Sequence, residues 1–126
     1  MSLQPVLFIV DDDAAVRDAL SLLGEALGLT VEAYVSAEDF LKHYTLDRLG
    51  CLILDLRLPG MDGMELQANL TAREAHLPII MITGHGNHSE IALAQALGAL
   101  CVIEKPFNPQ ELIDCIQRGM AQAMHV

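Results

Sequence analysis

The chain has 126 residues, enough for one domain with a proper core and too few for two ordinary ones. Its formal charge of −10, with only 7 scattered Lys and Arg, argues against direct nucleic-acid binding by this segment and against a grip on an anionic membrane, both of which need clustered cations. No apolar run is long enough to span a bilayer and no signal peptide with a basic start is present, so the expected location is cytoplasmic, with no membrane partner. The composition is 52% hydrophobic but only 4% aromatic, which leaves the core to Leu, Ile, Val, Ala and Met. Cys51, Cys101 and Cys115 form no C-x-x-C pair, and buried free thiols are the expectation.

Pro5 to Val10 is an apolar run that ends abruptly in three acids, Asp11, Asp12 and Asp13. Asp13 suits the cap of a helix whose apolar face is Val16, Leu20, Leu23 and Leu27, and Gly28 closes it. Thr30 to Val35 reads as a short strand, and Ser36 with Asp39 opens a helix carrying Phe40 and Leu41. Leu52 to Leu54 delivers a single carboxylate, Asp55, before the chain breaks at Pro59-Gly60 and again at Gly63. Gly63 to Glu74, with Leu66 and Leu70 on one side, predicts a third helix. Pro78 to Thr83 is a fourth apolar run, ending in a hydroxyl. Asn87 or Ser89 is expected to cap the next helix, in which Ile91, Ala94 and Leu97 face one way before Gly98. Leu100 to Ile103 is the fifth run, followed by Glu104-Lys105-Pro106-Phe107, and Asn108-Pro109 starts a last helix with Leu112, Ile113, Ile116 and Met120 at helical spacing.

Five strands alternating with five helices, most strands being unbroken apolar runs, call for an α/β fold: a parallel sheet covered on both faces, doubly wound through right-handed crossovers. Such a sheet gathers the carboxyl ends of its strands along one edge, where open α/β folds place their ligand crevice. Asp11 and Asp12, Asp55, Thr83 and Lys105 all occupy strand ends. Taken singly, each has an ordinary explanation: a loop cap, a local turn, a surface charge. Together the acids would repel one another by roughly 4 kcal/mol per close pair at an effective dielectric near 20, so something positive belongs among them. Hard oxygen donors open to water suit Mg2+, and Lys105 adds a fixed positive charge. A carboxylate beside a divalent ion, an ammonium and a hydroxyl is equipped to attack a phosphoryl group, which would leave an aspartyl phosphate at Asp55.

Val10-Asp11-Asp12-Asp13, Leu54-Asp55-Leu56-Arg57-Leu58-Pro59-Gly60-Met61-Asp62-Gly63, Ile82-Thr83-Gly84 and Glu104-Lys105-Pro106-Phe107 resemble the motifs of receiver domains of two-component response regulators, the CheY-like family. The resemblance covers nearly the whole chain and implies a flavodoxin-like (βα)5 sandwich of strand order 2-1-3-4-5, with residues 1–126 as one receiver domain. It further implies that Asp55 accepts phosphate from a histidine kinase, and that Asp12, Asp55 and the backbone carbonyl of Arg57 hold Mg2+, with Asp11 assisting. Thr83 and Lys105 would bind the phosphoryl oxygens, and the Lys105-Pro106 bond would be cis. The expected role is a signalling switch rather than a true enzyme, working through the face of the fourth helix, fifth strand and fifth helix. Homodimerisation on phosphorylation belongs to the same expectation.

Gly84-His85-Gly86 and Ile103-Glu104-Lys105-Pro106-Phe107 look like the FixJ subgroup, whose receivers usually precede a helix-turn-helix DNA-binding domain. No such output domain is present here. An excised receiver controlling transcription is the favoured reading, and a single-domain regulator acting by protein-protein binding is the alternative. Two positions depart from the pattern: Val102 stands where an aromatic switch residue is common, and Cys101 replaces an acid used in dimer salt bridges. Arg57 and His85 flank the expected phosphate and are candidates for controlling water access, while His85 and His88 read as a solvated pair rather than metal ligands. A haloacid dehalogenase-type phosphohydrolase would need a second acid where Arg57 stands, and a flavin carrier would not place Asp11-Asp12-Asp13 against a phosphate.

Overall fold

The computed structural model describes residues 4–84 and 88–124. Strands β1 (Val6–Val10), β2 (Thr30–Tyr34), β3 (Gly50–Asp55), β4 (Ile79–Thr83) and β5 (Cys101–Glu104) alternate with helices α1 (Ala14–Ala26), α2 (Ala37–His43), α3 (Gly63–Ala72), α4 (His88–Ala96) and α5 (Pro109–Ala123). All four strand pairings are parallel, in the order β2-β1-β3-β4-β5, as anticipated.

Alternation along each strand sorts the core into two layers. Val6, Phe8 and Val10 of β1, Leu52 and Leu54 of β3, and Ile79 and Met81 of β4 face α2, α3 and α4, meeting Phe40, Leu66, Leu70 and Ala94. Leu7 and Ile9, Cys51 and Ile53, and Ile80 and Ile82 face α1 and α5, meeting Leu20, Leu112, Cys115, Ile116 and Met120. Because β1, β3 and β4 are covered on both sides, every residue in them is buried, which explains their unbroken apolar runs. β2 is an edge strand, and only Tyr34 in it is buried.

The sequence signals for helix starts correspond to real caps. Asp13 accepts from the N–H of Ala15 at 2.9 Å, Ser36 from that of Asp39 at 3.0 Å, and Asn108 from those of Gln110 and Glu111 at 3.0 and 3.2 Å. Asp62, not recognised as a cap from sequence, closes a reciprocal capping box with Glu65. Gly28 and Gly98 take the left-handed conformation just past α1 and α4, and the Lys105-Pro106 bond is cis.

Some expectations need adjusting. Val35 lies past the end of β2 and is exposed. Ser89 is inside α4 rather than ahead of it, and the other candidate cap, Asn87, lies outside the described residues, as does His85. The expected inner face of α4 reduces to Ala94, because Leu93 and Leu97 are exposed and Ile91 is half-buried. Apolar residues surround this helix, so periodicity gave no reliable choice of face. Among the thiols, Cys51 and Cys115 are buried, but Cys101 is only half-buried. No helix among the described residues is long and apolar enough to cross a membrane.

Candidate functional site at the carboxyl edge of the sheet

Register brings the site together. Val10 pairs with Leu54, which sets Asp11 level with Asp55, and Thr83 pairs with Glu104, which places Lys105 beside them. The pairing continues beyond the strands: Leu56 N–H donates to the Ile82 carbonyl at 2.8 Å and Lys105 N–H to that of Thr83 at 2.8 Å. The loop after β3 is folded tightly under Asp55. A Cβ on Gly63 would run into the Asp55 carbonyl oxygen and the Leu56 Cα, so only glycine fits this first position of α3.

Carboxylate oxygens of Asp11, Asp12 and Asp55 all lie within 4.8 Å of one another. Asp11 and Thr83 are fully buried and Asp55 nearly so, whereas Asp12 is exposed, so the cluster forms a floor with one open side. Lys105 Nζ bridges the floor, 3.2 Å from Asp11 Oδ2 and 3.1 Å from Asp55 Oδ2. The remaining oxygens are held by backbone: Asp13 N–H donates to Asp11 Oδ1 at 2.9 Å and Arg57 N–H to Asp55 Oδ1 at 3.0 Å. Arg17 Nη1 donates to the Asp11 carbonyl at 2.7 Å, tying α1 to the end of β1.

Burial raises the Asp11 carboxyl above its ordinary value; the Asp13 N–H opposes this, and the charge of Asp55 reinforces it. At Lys105 burial pulls the ammonium down, yet the hydrogen bonds and charges of Asp55 and Asp11 outweigh it and leave the group above its ordinary value. Three carboxylates against one ammonium leave an excess of negative charge on hard oxygen donors. That donor set fits a small oxygen-seeking dication such as Mg2+ and would not attract a soft metal.

The expected site residues Asp11, Asp12, Asp55, Thr83, Lys105 and Arg57 thus meet at one edge. The Arg57 side chain points outward, where Nη2 pairs with Glu90 Oε1 of α4 at 2.5 Å. Sequence reasoning missed that partner, 33 residues away, and it missed Gln67, a buried amide of α3 whose Nε2 donates to the Ala94 carbonyl of α4 at 3.2 Å. No local pattern announces either contact. Val102 is half-buried against the layer that includes α4, with no ring to swing.

The family model for the response regulator receiver domain matches residues 7–117, which takes in every element of the sheet and all of these side chains. The chain belongs to that family. The receiver is 40% identical over 115 residues to nodulation protein W of Bradyrhizobium diazoefficiens, covering 91% of this chain and 51% of that protein. It is 41% identical over 118 residues to the response regulator protein TodT of Pseudomonas putida strain F1, covering 94% of this chain and 52% of TodT. Among solved structures, FixJ-N superposes with a TM-score of 0.86 at 37% identity, covering 99% of this chain and 98% of that one. The FixJ-type resemblance is therefore shown, and the receiver is similar to bacterial regulators of two-component signalling. It spans about half the length of the curated relatives it matches.

Proposed function

We propose that this receiver takes a phosphoryl group onto Asp55 from a phosphohistidine of a histidine kinase, and that the phosphorylated form drives an output through the face of α4, β5 and α5. The observation that carries this reading is the convergence of Asp11, Asp12 and Asp55 within 4.8 Å under a single bridging ammonium. In this reading Asp11, Asp12, Asp55 and the Arg57 carbonyl hold Mg2+. When bound, the ion neutralises charge on the phosphoryl oxygens as a Lewis acid.

The chain's own groups do the rest. The Arg57 N–H fixes Asp55 Oδ1, which leaves Oδ2, the oxygen now facing Lys105, as the attacking atom. A bond forms from that oxygen to phosphorus as the phosphorus–nitrogen bond to histidine breaks, and the imidazole nitrogen picks up a proton. Lys105 then exchanges its carboxylate contact for a phosphoryl oxygen, and the Thr83 hydroxyl donates to another. Because Val102 offers no aromatic ring, movement of Thr83 reaches the outer face through aliphatic packing and through α4.

Relatives about twice as long as this chain support an output domain beyond the receiver, and one of them is called transcriptional regulatory protein FixJ. Transcriptional control through a helix-turn-helix domain is accordingly the favoured output, with dimerisation of phosphorylated receivers as the step that presents it. Intact mass after incubation with acetyl phosphate tests the acceptor. One added phosphoryl group is expected with Mg2+, and none without it or in Asp55→Asn. Equal labelling of Asp55→Asn would overturn the assignment.

A further inference from the structure

The loop between β3 and α3, Leu56 to Asp62, carries the Arg57 N–H that fixes Asp55 Oδ1 and the Arg57 carbonyl proposed as a metal ligand. Whatever holds this loop therefore acts on the site. Its two ends are held by the elements they join: Leu56 N–H donates to the Ile82 carbonyl, Gly63 N–H returns to the Leu56 carbonyl at 3.1 Å, and Asp62 shares its capping box with Glu65. Leu58 is buried in the same layer as Phe40 and Leu66. The tip, Pro59-Gly60-Met61, is fastened from a different element.

Glu38, in the first turn of α2, reaches the tip across 23 positions of sequence and accepts the Met61 N–H on Oε2 at 3.1 Å. The carboxylate lies close against the turn. A Cβ on Gly60 would stand 2.5 Å from the same oxygen, and Gly60 also has a φ of +73°, so this glycine serves both the left-handed turn and the approach of Glu38. The backbone N–H of Glu38 itself, followed by that of Met61, holds the carboxyl below its ordinary value, as expected of a carboxylate that accepts from backbone. Ala37 and Phe40, which flank Glu38 in α2, are fully buried, so the exposed carboxylate hangs from a backbone that is firmly seated. An exposed contact of this kind adds little to global stability. Its effect is local, because Arg57 lies only four residues before Met61.

We propose that Glu38 is a positioning residue for the phosphoryl-acceptor site. By holding the Met61 N–H it fixes the far turn of the loop and keeps Arg57 in one backbone conformation, with its N–H on Asp55 and its carbonyl among the metal ligands. The proposal rests on the reading of Asp55 with Mg2+ as the acceptor, and in it Glu38 touches neither the ion nor the phosphoryl group. A loop released at its tip samples further conformations, and the apparent affinity for Mg2+ falls with the fraction of time spent in the competent one. Once the ion is held, attack by Asp55 proceeds as before. The signature is a higher Mg2+ requirement at an unchanged maximal rate.

The test compares the parent chain with Glu38→Ala, which lacks an acceptor, and Glu38→Gln, which keeps an acceptor oxygen without the charge. Amide hydrogen exchange followed by NMR in the absence of metal reads the anchor directly. The Met61 N–H should be protected in the parent and in Glu38→Gln and should exchange several-fold faster in Glu38→Ala, with the Arg57 N–H following in the same direction. Labelling by acetyl phosphate, titrated with Mg2+, should show a several-fold higher half-saturating concentration for Glu38→Ala, the parent's maximal rate, and a midpoint near the parent's for Glu38→Gln. Exchange of the parent's Met61 N–H at the unfolded-chain rate would overturn the proposal. So would a Glu38→Gln midpoint shifted as far as that of Glu38→Ala, which would assign the effect to charge, or a lower maximal rate at an unchanged midpoint. No labelling of the parent at any Mg2+ concentration would remove the acceptor reading and this proposal with it, whereas a labelled parent with Glu38→Ala unchanged would remove this proposal alone.

Discussion

Asp12 contributes its charge to a cluster in which Asp11 and Asp55 are already buried, and the bridging ammonium of Lys105 touches only those two. Relieving like-charge repulsion should therefore stabilise the metal-free fold. Asp12→Ala is expected to gain about 1 kcal/mol without divalent ions, read from urea unfolding, while losing any stabilisation by Mg2+. Glu32 makes the opposite case. The Arg48 guanidinium beside it, together with the Tyr34 hydroxyl at 2.6 Å, holds its carboxyl below the ordinary value despite partial burial. A carboxyl depressed in the folded state contributes stability that is complete above its unfolded value of 4.5 and is lost as pH falls through the lower folded value. Glu32→Gln should accordingly lower stability across the neutral range, where the contribution is complete, and flatten the fall below about pH 4.5, with the difference from the parent vanishing at the acid end, measured by thermal melts across pH.

Among the elements, α2 is fastened by rings and α3 by its first turn. Phe40 stacks on Tyr44 at 5.1 Å and meets Phe8 and Tyr34 edge-on at 5.5 and 5.6 Å, so nearly all the aromatic residues of the chain gather where α2 lies on β1 and β2. Phe40→Ala removes the centre of that group and should cost about 3–5 kcal/mol in equilibrium unfolding. At α3, Asp62→Ala should cost about 1 kcal/mol by opening the capping box. Gly63→Ala should cost about 1–3 kcal/mol, because its new methyl must push against the Asp55 backbone. The second change also disturbs the proposed acceptor, so its phosphorylation rate should fall more than that of Asp62→Ala at matched temperature. The starts of α1, α2 and α5 were legible because a cap and its N–H partners are two or three residues apart. The inner face of α4 was not, because Ile91, Leu93, Ala94 and Leu97 offer apolar surface in several directions and only docking selects among them.

For the whole molecule, the sheet acts as a frame that turns sequence distance into proximity: Lys105 meets Asp11 across 94 positions and Asp55 across 50. If the carboxylates hold Mg2+ in the folded chain alone, the ion must stabilise the fold by mass action. An excess of about 100 times the dissociation constant should add about 2.7 kcal/mol, and chelation should remove it. Absence of any shift in the melting curve up to millimolar Mg2+ would count against the metal assignment.

The amino-acid sequence by itself determined the alternation of strands and helices, the strands buried on both sides, most of the caps, and the fact that acids, a hydroxyl and a lysine end the strands. These properties rest on periodicity and short-range chemistry, which a linear string displays. The family motifs then supplied roles for those strand-end residues. Tertiary structure alone decided that Asp11 is buried while Asp12 is open, that Arg57 turns to Glu90, that Gln67 spans from α3 to α4, and that Cys101 is the half-buried member of the three thiols, beside Arg118. Each of these depends on which side chains are packed together after the sheet closes, and contacts across 17 to 33 residues leave no periodic trace in the chain.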